Sequence, residues 1–274
     1  MRRTVALLVF LTALLASGID APVAATVENL YRAQAIVTGQ TEKNRPAGFA
    51  QCLTDVLVKV SGDPRLLDDP RLAKLARQAG SFVSGFRYRD RMEGIPVHDE
   101  QGTRDRPYDL TCDFHPQKID AALRELGRTP WPAERPLLVV FLSVRNGPSA
   151  YVLTDDGTRG PGQRESFLGA SKKIGVPVVL PTQAALAKTG LGFEGVPAAD
   201  PAALNAAAKA LGGDLALAGS MEFSDAVHGW LVEWRLAPQG KLHRWHVRGV
   251  NFDEAFRVAL RGAALILSGN GRPD

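Results

Sequence analysis

Cysteine, histidine, methionine and aromatic residues are all scarce: two Cys, five His, three Met and 7% Phe, Trp and Tyr in 274 residues. The phosphate-cradling pattern G-x-x-x-x-G-K-[ST] is missing, and Gly157, Gly160 and Gly162 do not sit tightly between a strand and a helix. There is no G-x-S-x-G turn to expose a serine nucleophile. His243 and His246 come closest to a metal pair, but strand positions three apart face opposite sides. Neither has an acidic or cysteine neighbour to complete a ligand set. The run from Asp155 to Gly162 has the wrong oxygen spacing for a calcium loop and reads as a mobile connection. These absences favour a non-enzymatic chain with no cofactor. A hydrolase with catalytic residues dispersed among the 29 acids stays open.

A long block of positive charge is missing too. The formal net charge is +4 and the pI about 9.2, but Lys and Arg are scattered among acids. The cluster RYRDR, Arg87 to Arg91, is interrupted by Asp90. A nucleic-acid partner needs basic residues concentrated on one surface, so none is expected.

What is present first is an export pattern. Arg2 and Arg3 precede an apolar run from Val5 to Leu15, and Val23, Ala24 and Ala25 suit a signal peptidase. Cleavage after Ala25 is expected, giving residues 1–25 as a signal peptide and a periplasmic product. The alternative is an N-terminal anchor, but the run is shorter than the ~20 residues a spanning helix needs. No cysteine near the cleavage point offers a lipid acceptor, and no later segment is apolar enough to span. The mature chain is therefore expected to be soluble. Removing the first 25 of 274 residues leaves 249 and lowers the net charge from +4 to +3, because Arg2, Arg3 and Asp20 depart. That length is sufficient for two domains with separate cores.

Both cysteines survive cleavage. In an oxidising compartment an even count reads first as a disulfide, Cys52 to Cys112. Phe49, Cys52, Leu53, Val56, Leu57 and Val60 fall on one face of a helix. Tyr108, Leu110, Cys112 and Phe114 alternate on one face of a strand. A bridge closing ~60 residues would contribute about 4 kcal/mol in the chain-entropy model. Two buried free thiols are the alternative. The stretch LTCDFH, Leu110 to His115, also invites a catalytic reading, yet Asp113 and His115 fall opposite Cys112, and a catalytic pair needs hydrogen-bond contact.

The first module, residues 26–128, reads as β-α-α-β-β-α. A strand in NLYRAQAIVTG is followed by the Cys52 helix, ending near Gly62. The next helix has Asp69 as N-cap and Pro70 in its first turn. Two strands flank a polar excursion from Glu93 to Pro107. A closing helix then turns Ile119, Ala122, Leu123 and Leu126 inward. Residues 129–136 read as a Pro-rich linker, with Trp131 capping one core.

The second module, 137–268, opens with LLVVFLSV, an apolar run suited to a strand buried on both faces. The stretch from Asn146 to Gly162 reads as irregular, QRESFLGASKKIG as a helix and VPVVLP as a second buried strand. A helix capped by Asp200 leads to DLALAGSMEF, and these crossovers predict parallel pairing. An antiparallel meander and a helix with an Asn251–Glu254 capping box follow. Residues 269–274 read as a frayed tail. The fold class is mixed, α+β then α/β. Trp230, Trp234 and Trp245 fit core packing beneath the last helix, or an exposed aromatic platform for glycan or peptide.

NLYRAQAIVTGQ, LTDVLVKVSGDPRLL, FRYR, PWPAERPLLVVFLSV, GVPVVLP and GGDLALAGSMEF with WLVEWRL resemble the exported bacterial family catalogued as domain of unknown function 2066. The resemblance spans nearly the whole mature chain and implies no activity and no catalytic residues. The second module is similar in order to α/β domains of bacterial envelope lipoproteins and secretion accessories. The first is similar to small β-α-β-β-α modules of envelope rings. The expectation is an exported binding or accessory protein of the cell envelope, with another envelope protein as partner. Its rivals are the hydrolase and a small-ligand binder.

Overall fold

Local signals place the ends of several elements. The computed structural model describes residues 24–95 and 105–273. The export segment up to Val23 and most of the polar excursion lie outside them.

A two-residue strand β1 (Ala25–Thr26) precedes β2 (Arg32–Thr38), whose Ala33 and Ala35 are buried. Helix α1 (Arg45–Ser61) buries Phe49, Cys52, Leu53, Val56, Leu57 and Val60, the face its apolar spacing defines. Gly62, at φ 70°, caps it by donating its N–H to the Val58 carbonyl. Helix α2 (Pro70–Arg77) starts at Asp69, which accepts from the Arg71 N–H. Strands β3 (Val83–Asp90) and β4 (Pro107–Phe114) are antiparallel, and α3 (Pro116–Glu125) closes the unit. The sheet order is β2-β4-β3. One face packs Leu110, Cys112 and Phe114 against the helices. Strand parity and register place Arg32, Gln34 and Ile36, then Asp113, Thr111 and Asp109, then Gly85, Arg87 and Arg89 on the other face.

Strand β5 (Glu134–Arg135) returns to pair with β1, so the Pro-rich stretch is built into the fold. Strand β6 (Leu138–Asn146) is buried from Leu138 to Val144. It turns through Gly147 and Pro148 into β7 (Ser149–Val152), a hairpin within the stretch expected to be irregular. Gly147 has φ 53°, which suits the first central position of a two-residue hairpin. The loop beyond, expected to be mobile, is tied by Arg164 to the carbonyls of Thr154 (2.7 Å) and Gly157 (3.0 Å).

Helix α4 (Pro161–Ile174) follows. VPVVLP then contributes only β8 (Val178–Val179), bridging to β6 with Val179 exposed. The expected buried strand fails because Pro177 and Pro181 bring no N–H to a ladder. Helices α5 (Gln183–Thr189), α6 (Gly195–Ala198) and α7 (Pro201–Ala210) lead to β9 (Leu215–Ser224), parallel to β6. Asp200 caps α7 by accepting from Ala202 and Ala203 N–H groups. The meander β10 (Gly229–Leu236) and β11 (His243–Val250) ends in α8 (Phe252–Leu267), where Asn251 accepts from the Glu254 N–H at 2.8 Å.

The second sheet runs β11-β10-β9-β6-β7, with β8 beside β6. One face packs Val140, Leu142, Trp234 and Trp245 against Phe167 of α4 and Phe256 of α8. The other packs Val139, Phe141 and Ala216 against Val196, Leu204 and Ala208. Two covered faces are why β6 is apolar at successive positions. Trp234 and Trp245 lie in the core, with Trp245 donating Nε1–H to the Val258 carbonyl at 3.3 Å. They form no exposed platform.

Candidate binding cleft between the two sheets

A buried cation joins the two sheets. Arg135 is fully buried yet forms no ion pair with a carboxylate among the described residues. It donates to the carbonyls of Lys59 (2.9 Å), Gly175 (2.6 Å), Pro132 (3.0 Å) and Trp131 (3.3 Å), and its guanidinium lies 3.8 Å from the Trp131 ring centroid. Lys59 belongs to the last turn of α1, and Gly175 follows the last residue of α4. Both helices thus present unpaired carbonyls and the negative ends of their dipoles to one guanidinium. Burial lowers the Arg135 pKa to about 10, so it stays charged at neutral pH.

Gly175 must be glycine twice over. Its φ is 74°, and a Cβ there would come within 2.8 Å of both Lys59 and Arg135 side-chain atoms. The contact is extended by Trp131 N–H to the Val60 carbonyl (2.7 Å), Lys173 to Asp55 (3.0 Å) and Asn270 to the Ser61 carbonyl (2.9 Å).

Beside this junction lies a cleft of about 750 Å³. Its walls come from β2, the open face of the first sheet, the C-terminal half of α1 and the end of α4. Arg32, Lys59, Arg87, Lys172 and Lys173 line it against Glu28 and Asp55. A second recess of about 630 Å³ adjoins it at Gly169 and Lys173 and runs along α4 towards Ile36 and Arg257.

The cleft's charges are held in place from below. Asp113 on β4 pairs with Arg32 and lies 3.6 Å from Arg87. Asp109, two pairs along, is flanked in the same way by Arg89 (2.5 Å) and Arg91 (3.6 Å). Lys59 is largely buried and donates to the Arg32 carbonyl at 2.6 Å. Desolvation, reinforced by the charge of Arg135, pulls its pKa down to about 8, while Asp55 opposes the shift.

The residues of LTCDFH separate here. Cys112 is fully buried beside Cys52, and the two are unbonded thiols, with Cys52 directed at the Leu110 carbonyl at 3.8 Å. Contact with Cys52, followed by burial, holds the Cys112 thiol far above its ordinary range, so it offers no thiolate nucleophile. Asp113 turns to the opposite face, and His115 is exposed at the start of α3. Among the described residues the His115 side chain makes no hydrogen bond, so no cysteine–histidine pair forms.

The cleft residues escaped the sequence reading for different reasons. The RYR alternation of β3 was a usable signal for Arg87 and Arg89. Lys59 was hidden in an apolar helix and Arg135 in a stretch read as a linker. Among the described residues, no three His, Cys, Asp or Glu stand together to hold a metal ion, and no helix is long and apolar enough to cross a membrane.

No curated protein and no solved structure matches the chain. Residues 24–132 match the family model of a domain of unknown function, DUF8605. That span runs from β1 to Pro132, three residues short of the cation that joins the sheets. The match supports an uncharacterised domain over that span and does not name domain of unknown function 2066. The first half of this protein is thus similar to an uncharacterised domain, DUF8605.

Proposed function

We propose that this is an exported, non-enzymatic binding module of the bacterial cell envelope that works in the periplasm and takes its ligand in the cleft between the sheets. Residues 1–25 act as the signal peptide. Residues 26–128 and 137–268 are the two domains, with 129–136 between them. On export, Cys52 and Cys112, already neighbours in the core, join as a disulfide. The single observation that supports the reading is the cleft itself. Its volume of about 750 Å³ falls in the range of small-molecule sites, and it lies where two separately cored units meet. Arg135, by tying α1 to α4, keeps its two walls at a fixed separation.

The test is to express the full chain with its signal and recover it from the periplasm. Intact-mass analysis should find a product beginning at Thr26. Hydrogen exchange in the presence of periplasmic extract should slow at β2 and at residues 169–177. A cytoplasmic product, or exchange unchanged by the extract, would overturn the reading.

A further inference from the structure

Among the described residues, the cleft has more hydrogen-bond donors than its own carboxylates occupy. Arg32 commits only Nε to Asp113, and its terminal nitrogens have no partner among the described residues. The nearest carboxylate oxygen to Arg87 is at 3.6 Å, outside hydrogen-bond range. Lys172 forms no ion pair among the described residues, whereas Lys173 is already taken by Asp55. Thr111, between the two arginine strands, is 8% exposed, and its hydroxyl has no partner among the described residues. These groups come from β2, β3, β4 and α4, with the Lys59 ammonium on the α1 side. They reach one space from several directions.

We propose that this cleft binds a phosphate group, carried by a small molecule or a lipid headgroup. The proposal rests on the reading of the cleft as a ligand site and names its chemistry. A planar carboxylate is satisfied by one arginine fork, and Asp113 takes only the Nε of Arg32. A tetrahedral dianion accepts from many directions, which matches guanidinium, ammonium and hydroxyl donors set around one space. The lining carries five cationic residues against Glu28 and Asp55, and counting Asp113 beneath leaves an excess of two positive charges. The volume exceeds what a bare phosphate fills, leaving room beside Gln34 and Asn29 for the group that bears it.

Calorimetric titration of the exported, processed product with pyrophosphate and with glycerol 3-phosphate tests the proposal. Both should bind, and Arg87→Gln or Lys172→Gln should each weaken binding about tenfold, the effect of losing one charge-assisted contact. Both side chains are exposed enough for the fold to survive, which circular dichroism checks. Arg248→Gln, on exposed β11, should bind as the parent does. Failure to bind either probe overturns the phosphate assignment, as does an equal loss in Arg248→Gln.

Two further arms separate sources and readings. Binding to phosphatidylglycerol vesicles that glycerol 3-phosphate competes away assigns the headgroup; probe binding without vesicle binding assigns a soluble ligand. Cleft protection by periplasmic extract, without binding of either probe, overturns the phosphate class and leaves the binding reading standing. Absence of both removes the two together.

Discussion

Strands β4 and β6 are both central in their sheets, yet they carry opposite kinds of sequence. β6 is covered on both sides, by α4 and α8 on one and by α6 and α7 on the other. Every residue from Leu138 to Val144 is buried, and all but Ser143 are apolar. β4 is covered by helices on one side only. Its other side sets Asp109, Thr111 and Asp113 between arginines of β2 and β3. A sheet enclosed on both faces cannot place a charge without desolvating it. A sheet with one open face can, because water and neighbouring counter-charges solvate the row. The second sheet therefore supplies the larger apolar core, and the first supplies the charged face.

Breaking the enclosed sheet should have the largest effect. Trp234 is fully buried against Phe167 and Phe256. Trp234→Ala should cost about 3–5 kcal/mol, read as a shift in the urea midpoint. Next comes the first core. Oxidation of the Cys52–Cys112 pair should stabilise by about 4 kcal/mol, with the whole effect reversed by reductant. Two freely alkylated thiols in the exported, folded product would remove this prediction.

The junction between the regions follows. Arg135→Met leaves the carbonyls of Lys59 and Gly175 unpaired in the interior and should cost about 3 kcal/mol. Calorimetry should then resolve two transitions in place of one, as each core melts separately.

Lys59 gives the comparison a pH readout. Its pKa is about 8 in the fold, against 10.5 for an unperturbed lysine. Between those values the unfolded chain holds a proton that the folded one has released, so stability rises with pH across that window. The cost of burying the charge is in full effect below pH 8 and gone above pH 10.5, on the order of 3 kcal/mol in total. Lys59→Met should abolish that rise, seen as a difference between parent and variant midpoints at the two ends of the window.

The smallest effect is expected on the open face. Arg87→Gln should change stability by less than about 0.5 kcal/mol, because its side chain is 59% exposed and its pairing with Asp113 is loose. A large loss there would show that the charged face is structural.

Much of the fold was legible because its signals are local. Asp69, Asp200 and Asn251 cap the helices they precede, since a cap needs only a side-chain oxygen and an N–H two or three residues on. The parity of residues 108–114 separated Cys112 from Asp113, and the unbroken apolar run at 138–142 announced two-sided burial. Strand β7 was missed because four residues beyond a Gly-Pro turn carry little periodicity. β8 was overestimated because an apolar run does not reveal how many of its residues find a ladder partner.

Apart from the RYR alternation that carries Arg87, the cleft was not legible, because its groups are brought together from distant elements. Arg135 finds two of its four acceptors 40 and 76 residues away. In sequence it is one more arginine among prolines.

By itself, then, the sequence determined most of the segments that become helices and strands, and which face of each is apolar. Those properties follow from short-range backbone geometry and periodicity. Only the tertiary structure decided that two helix C-termini meet one buried guanidinium, and that the charged face of one sheet stands opposite a lysine-bearing helix of the other. Contacts of that kind depend on how whole units pack. Desolvation and charge then give Lys59 a character that no local stretch of the chain records.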